Sequence, residues 1–289
     1  MSPFDLIEPT SLREAVGLLD PADPTVRAFA GGTALMLMMK AGVFRPSRLI
    51  SLGKIEERYS EVSFAPNGDL HIGAMTPLST LEYTDEVRRA LPVFAQTMRT
   101  LSNIRVRNVA RVGGALAHGD PHMDLPPVLA SLNAKVVAVS PKGSREIDVD
   151  KLYIGYYKTA LADDELISEV IVPSQNDRRA AYLKYTSRSA DDWPALGIAV
   201  SIKCDRDTIQ DASIIVSAAT EKVTRLVAAE KALRGVPTTD DILLKAGEAA
   251  IDEATLVPDS RGSVPYKREL LRVCVGRAVR MALNSGAVT

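Results

Sequence analysis

Cysteine is nearly missing from this chain. Cys204 and Cys274 are the only two in 289 residues, far apart and without a Cys-x-x-Cys pair. That argues against an iron–sulfur cluster or a structural zinc held by this chain alone, and it fits a reducing, cytoplasmic compartment. Excess charge of either sign is missing too: 35 Lys+Arg stand against 36 Asp+Glu, a net charge of -1. Nothing here would displace phosphate counterions along a nucleic acid, so any anion site must be local. No uncharged run approaches the ~20 residues of a membrane span. The opening MSPFDLIEPT carries Asp5 and Glu8 where a signal peptide needs basic residues and then an apolar run. No Gly-x-Ser-x-Gly occurs, which sets Ser/His/Asp hydrolysis aside. Neither a GxGxxG fingerprint nor a Walker loop is present.

What is present is an ordinary globular composition, 46% hydrophobic and 25% charged. The length suffices for one large domain or two to three small ones. Ser11 followed by Glu14 is a capping box that predicts a helix over SLREAVGLL, with Leu12, Val16 and Leu19 on its apolar face. VRAFA then reads as a strand, GGT as a tight loop, ALMLMMKAG as a helix stopped by Gly42, and RLISLG as a second strand. This is a βαβ-like unit over about 1–53.

From about Lys54 a second subdomain is expected, opening with a hairpin that turns at Asn67-Gly68. Thr76 and Pro77 predict a helix running through Arg89, and Pro92 opens another ending near Leu101. DDELISEVIVP reads as a strand terminated by Pro173. The polar 174–179 marks a boundary, dividing the chain into 1–176 and 177–289. Beyond it AYLKYTSR, LGIAVSIKC and IQDASIIVSA alternate like an antiparallel sheet, with helices expected at 223–234, 239–251 and 266–283. The fold class is α+β.

Two Gly-Gly pairs bear on function. Ala30-Gly31-Gly32-Thr33 lies between a strand and a helix, where backbone N–H groups and the positive helix end can receive a phosphate. The same residues equally describe a turn that needs positive φ. Arg111-Val112-Gly113-Gly114 reads as a second such loop, preceded by Arg105 and Arg107. Two nests from different subdomains suit one diphosphate; two unrelated turns with surface arginines explain the spacing as well. His118, Asp120, His122 and Asp124 in HGDPHMD offer metal-ligand chemistry without a diagnostic spacing. Asp124 as the cap of a helix opening at Leu125-Pro126 is the simpler reading. Asp163-Asp164 and Asp191-Asp192 read as turn residues, and the Leu35–Met39 run as core.

AGGTALM, RVRNVARVGGALAHGDPHMDLPPVLASL, DELISEVIVP and YLKYTSRSADDWPALGIAV resemble, in order and over essentially the whole chain, the FAD-binding medium subunit of molybdenum hydroxylases. That family includes carbon monoxide dehydrogenase-like enzymes and the flavin domain of xanthine dehydrogenase. The resemblance implies a two-subdomain FAD-binding domain of the vanillyl-alcohol-oxidase-like (PCMH) type, followed by a smaller α+β domain with an antiparallel sheet and helices. It further implies that Phe29, Ala30, Gly31, Gly32, Thr33, Ala34, Leu35 and Met36 wrap the FAD pyrophosphate. Arg111, Val112, Gly113, Gly114 and Ala115 would contact it from the neighbouring subdomain. Asp124 would hold the adenosine end, Leu101 and Ile167 would pack against the cofactor, and Lys184 and Tyr185 would lie close to the flavin.

In such enzymes a large subunit carries the molybdenum cofactor and a small one carries two [2Fe-2S] clusters. The medium subunit passes electrons through FAD to NAD, a quinone, a dye or oxygen, and a dimer of heterotrimers is the expected assembly. Two positions depart from the pattern: Ala34 stands where many relatives carry a polar residue, and Arg111 where a Ser or Thr precedes the glycines. Two other readings stay open, a stand-alone FAD-dependent oxidoreductase of the same superfamily and a non-catalytic nucleotide-binding assembly module.

Overall fold

The computed structural model describes residues 3–206 and 208–285. The first of the four sheets among the described residues is parallel and small. β1 (Asp5–Ile7) and β2 (Val26–Phe29) flank β3 (Arg48–Ser51), and α1 (Leu12–Gly17) and α2 (Leu35–Lys40) make the connections. Ser11 caps α1 as its sequence predicts, accepting from the Glu14 N–H at 3.1 Å. The Glu14 carboxylate reaches back to the Thr10 N–H, one residue short of a strict capping box. The run from Leu35 to Met39 is not core throughout: only Met39 is buried, and Leu37 is largely exposed.

The middle region is an antiparallel sheet in the order β4 (Val62–Phe64), β5 (Leu70–Gly73), β10 (Leu166–Val172), β6 (Lys135–Ser140), β7 (Gly143–Asp148). The β4–β5 turn uses Gly68 at φ +88°, as expected of Asn-Gly. Between β5 and β6 run α3 (Leu78–Tyr83), α4 (Asp85–Ala90), α5 (Pro92–Thr100), α6 (Ile104–Val109), α7 (Val112–Ala117) and α8 (Leu125–Ser131). The single helix expected up to Arg89 is therefore two, broken at extended Thr84. The second Gly-Gly pair is not a loop: Gly113 and Gly114 lie in the first turn of α7. Between β7 and β10 come α9 (Val149–Leu152) and a small hairpin, β8 (Tyr153–Gly155) with β9 (Lys158–Thr159).

The last region is the antiparallel sheet β11 (Arg178–Tyr185), β12 (Leu196–Asp205), β13 (Thr208–Ser217), β14 (Thr224–Arg225). It is backed by α10 (Val227–Leu233), α11 (Asp240–Glu253) and α12 (Val264–Asn284). Every residue of α8, LPPVLAS, is buried, as a helix apolar on all sides must be. One core accounts for it, in which Leu129, Val136 and Val170 of the middle region join Tyr182, Ala199 and Ile215 of the last sheet. No helix of the described residues is long and apolar enough to cross a membrane.

Candidate functional site

A cleft of about 720 Å³ opens between the parallel sheet and the middle region, within the size range of small-molecule sites. Phe29, Ala30, Gly31, Gly32, Thr33, Ala34 and Leu35 line one wall; Arg111, Gly113, Gly114 and Ala115 line the facing one, and Ile167 lies between them. The two Gly-Gly segments touch each other. A Cβ on Gly31 would sit 2.1 Å from the Val109 carbonyl oxygen, and a Cβ on Gly113 would sit 2.7 Å from the Ala74 Cβ and 3.1 Å from the Ala74 carbonyl oxygen. These two glycines are therefore demanded by protein packing. Gly32 has φ +66°, a conformation side chains seldom adopt, and Gly114 faces the cleft with only the Ala30 Cβ, at 3.7 Å, near its missing Cβ.

The hydrogen bonds divide along the same line. Val112 donates its N–H to Thr76 O at 3.0 Å and Gly113 to Ala74 O at 2.8 Å, while Ala115 donates to Arg111 O. Among the described residues no acceptor takes the backbone N–H groups of Gly31, Gly32, Thr33, Ala34, Leu35 or Gly114. Such unsatisfied donors along one cleft form a nest suited to an anion. Arg111 adds a charge. Its side chain lies half-buried in the wall, among the described residues it has no acidic partner within ion-pair distance, and burial pushes its pKa down. A group bearing a diphosphate fits this donor set: backbone donors from two segments, one unpaired guanidinium, and apolar walls beyond.

A third wall escapes sequence reasoning. Residues 154–167 contribute Ile154, Tyr157, Lys158, Leu161 and Glu165, and the HGDPHMD segment contributes His118 and Met123. Glu165 is gripped by Arg145 through two hydrogen bonds of 2.7 and 2.9 Å, and Arg145 also holds Ala160 O at 2.7 Å. That grip, first among the causes, lowers the Glu165 pKa. The only available signal is the nearness of His118, four residues after Gly114 on the same helical face.

Several predicted contacts lie elsewhere. Met36 sits beneath Gly32, its Cγ 3.6 Å from where a Cβ would be, and Val112 is core. Asp124 is buried behind the cleft. It stands at the N-cap position of α8 without making a side-chain cap bond, a correction to its expected capping role. Its carboxylate instead accepts from Tyr182 Oη at 2.7 Å and from Lys184 Nζ at 2.9 Å. Burial raises its pKa in spite of that lysine. Lys184 also donates to Thr100 O at 2.7 Å, beside buried Leu101. Tyr185 packs toward the C-terminal core. Leu101, Asp124, Lys184 and Tyr185 thus line none of this cleft.

The metal alternative for HGDPHMD gains no geometry: among the described residues no group of three or more His, Cys, Asp or Glu could hold an ion. Asp120 instead accepts from the His122 backbone N–H, at 2.9 Å, and from its ring.

Comparison with known proteins places this arrangement. Residues 2–175 match the FAD binding domain in molybdopterin dehydrogenase, and residues 181–282 the CO dehydrogenase flavoprotein C-terminal domain. The chain is 32% identical to the nicotine 6-hydroxylase medium subunit of Paenarthrobacter nicotinovorans, covering 97% of this chain and 96% of that one. It is 29% identical to the glyceraldehyde dehydrogenase medium chain of Sulfolobus acidocaldarius, covering 96% and 97%. A solved carbon monoxide dehydrogenase from Hydrogenophaga pseudoflava superposes with a TM-score of 0.93 at 31% identity, over 99% of both chains. With its fold, its cleft and both matched segments in agreement, this chain belongs to the FAD-binding medium-subunit family of the molybdopterin dehydrogenases.

Proposed function

We propose that this chain is the FAD-carrying subunit of a heterotrimeric molybdenum hydroxylase, taking electrons from a partner's iron–sulfur clusters and delivering them to an external acceptor. Bound FAD supplies the redox chemistry, and the protein supplies binding, orientation and electrostatics. The observation that carries this reading is that, among the described residues, the backbone donors of residues 31–35 and Gly114 have no acceptor and line one cleft with Arg111, which has no acidic partner there.

Each group has a distinct task. The N–H groups of Gly31 to Leu35 bind the diphosphate from one side, with Gly114 and the Arg111 guanidinium opposite. Phe29, Ala30 and Ala115 shape the cleft beside them, and Ile167 offers an apolar surface further in. Asp124, Lys184 and Leu101 lie behind the wall, and we assign them to holding β11 against α5 and α8, close to the cofactor and not touching its phosphates. Tyr185 then buttresses the same strand from the C-terminal side. The family matches support a division of the chain near 176/177. We further propose a large molybdenum-cofactor subunit and a small subunit with two [2Fe-2S] clusters as partners, assembled as a cytoplasmic dimer of heterotrimers.

Co-expression with a candidate large and small subunit tests this. The expected result is a complex in which the hydroxylase substrate bleaches the flavin, while the isolated chain holds FAD that the substrate leaves oxidised. Flavin reduction by substrate in the isolated chain would replace this reading with a stand-alone oxidoreductase.

A further inference from the structure

A polar chain, largely buried except at exposed Tyr157, runs from the cleft wall into the C-terminal region. Tyr157 Oη donates to Asp120 Oδ2 at 2.7 Å. Asp120 Oδ1 meets His122 Nδ1 at 3.0 Å, and His122 Nε2 meets Asp259 Oδ2 at 2.9 Å. Lys267 Nζ, wholly buried at the start of α12, closes the chain on Asp259 at 2.8 Å and on Ala218 O at 2.9 Å. Both nitrogens of one imidazole thus face carboxylates, and Trp193 covers the ring at 5.5 Å between centroids.

The cleft end of this chain is the unusual one. Tyr157 has φ +54°, a left-handed conformation that a bulky residue adopts only when its surroundings enforce it. Its surroundings do so. Its N–H donates to Gly119 O at 3.1 Å, its hydroxyl is tied to Asp120, and its ring meets His118 edge-on at 5.2 Å. Tyr157 and His118 both line the cleft. Most of what fixes them there lies in the loop 118–124, with the Tyr156 ring edge-on to Tyr157 at 4.7 Å. His122 joins that loop to the C-terminal region beside the Ala218 N–H to Pro121 O bond of 2.9 Å and the Asp124 contacts with Tyr182 and Lys184.

From this we infer that His122 is a positioning residue for the cofactor: through Asp120 it holds the Tyr157 ring against the bound FAD, tying FAD retention to the docking of the C-terminal region. The inference rests on the cofactor reading above. Tyr157 and His118 close the cleft on a side that neither Gly-Gly segment reaches. Without the His122 ring, Asp120 keeps the backbone N–H of residue 122 but loses its side-chain link to Asp259, and Tyr157 can relax toward ordinary backbone geometry, away from the ligand.

The test is FAD titration of the full chain by flavin fluorescence, with visible circular dichroism of the bound flavin and a thermal melt of each variant. His122→Gly should bind FAD about tenfold more weakly, the scale of one charge-assisted hydrogen bond. Added imidazole should restore both affinity and the flavin dichroism. Tyr157→Phe, which keeps the ring and loses the tether, should weaken binding in the same direction without imidazole rescue, and it carries the test if the glycine variant does not fold. Variants that bind FAD like the parent overturn the inference. So does a His122→Gly chain whose lost affinity imidazole fails to restore, since that is a general loss of structure. A parent chain that takes up no FAD at all contradicts the cofactor reading itself, a result distinguishable from either.

Discussion

The missing side chain of Gly31 is set by Val109: a Cβ there would lie 2.1 Å from the Val109 carbonyl oxygen and 2.8 Å from the Ala110 Cα. The first Gly-Gly segment is therefore pressed against the end of α6, and this contact defines the distance across the cleft. The glycine doublets have divided labour. Gly31 and Gly113 let protein meet protein, whereas Gly32 and Gly114 serve the space where the diphosphate is proposed to lie.

Gly31→Ala and Gly114→Ala should consequently part company. The first forces backbone atoms apart and should cost about 1–3 kcal/mol, the range of overpacking, with FAD lost as the cleft distorts. The second meets only an ordinary 3.7 Å contact with the Ala30 Cβ, so the melt should stay close to that of the parent while FAD affinity falls. Thermal melts beside bound-flavin content check both.

Arg111 brings to the cleft wall a half-buried cation without an acidic partner in the described residues. Arg111→Ser should leave the backbone donors in place, lower FAD affinity by about tenfold, in line with the loss of one charged hydrogen bond, and flatten the salt dependence of binding. Titrations at two ionic strengths decide it.

The Asp124–Lys184 pair is almost fully buried, with side-chain exposures of 6% each. Removing one partner leaves an uncompensated charge, so Lys184→Met should destabilise the fold by about 3–5 kcal/mol. Burial already favours the neutral carboxyl of Asp124. The double change Asp124→Asn with Lys184→Met should therefore regain part of that loss in denaturant melts.

Acid should unfasten the C-terminal region. Against burial, which alone would raise it, hydrogen bonds from Lys267 and His122 hold the Asp259 carboxyl down at about 2, below its ordinary 3.8. A depressed carboxyl pKa adds stability that is complete above 3.8 and disappears as pH falls toward 2. With its side chain 19% exposed, the contribution is of order 2 kcal/mol. Urea melts from pH 6 to pH 3 should show the fall, and Asp259→Asn should shallow it.

Much of this molecule can be read along the chain. The βαβ unit with its Gly-Gly loop, the Asn67-Gly68 hairpin and the antiparallel strands after 177 follow from period and punctuation, since local residues decide them. What escaped depends on distant partners. Gly113 and Gly114 are poor helix formers, yet they are helical because the Val112 and Gly113 N–H groups find Thr76 O and Ala74 O. Three-residue β1 is too short to show a period. The third wall of the cleft is a hairpin turn at Tyr156 and Tyr157, which no motif marks. Asp124 and Lys184 meet only after α8 is packed on β11, so their pairing appears in no spacing rule.

The visible absorption spectrum of the purified chain, after incubation with FAD and desalting, tests the central claim most directly. The account predicts a retained flavin spectrum in the parent chain and its loss in Gly31→Ala. A folded parent chain that stays colourless would contradict the claim that this cleft holds FAD.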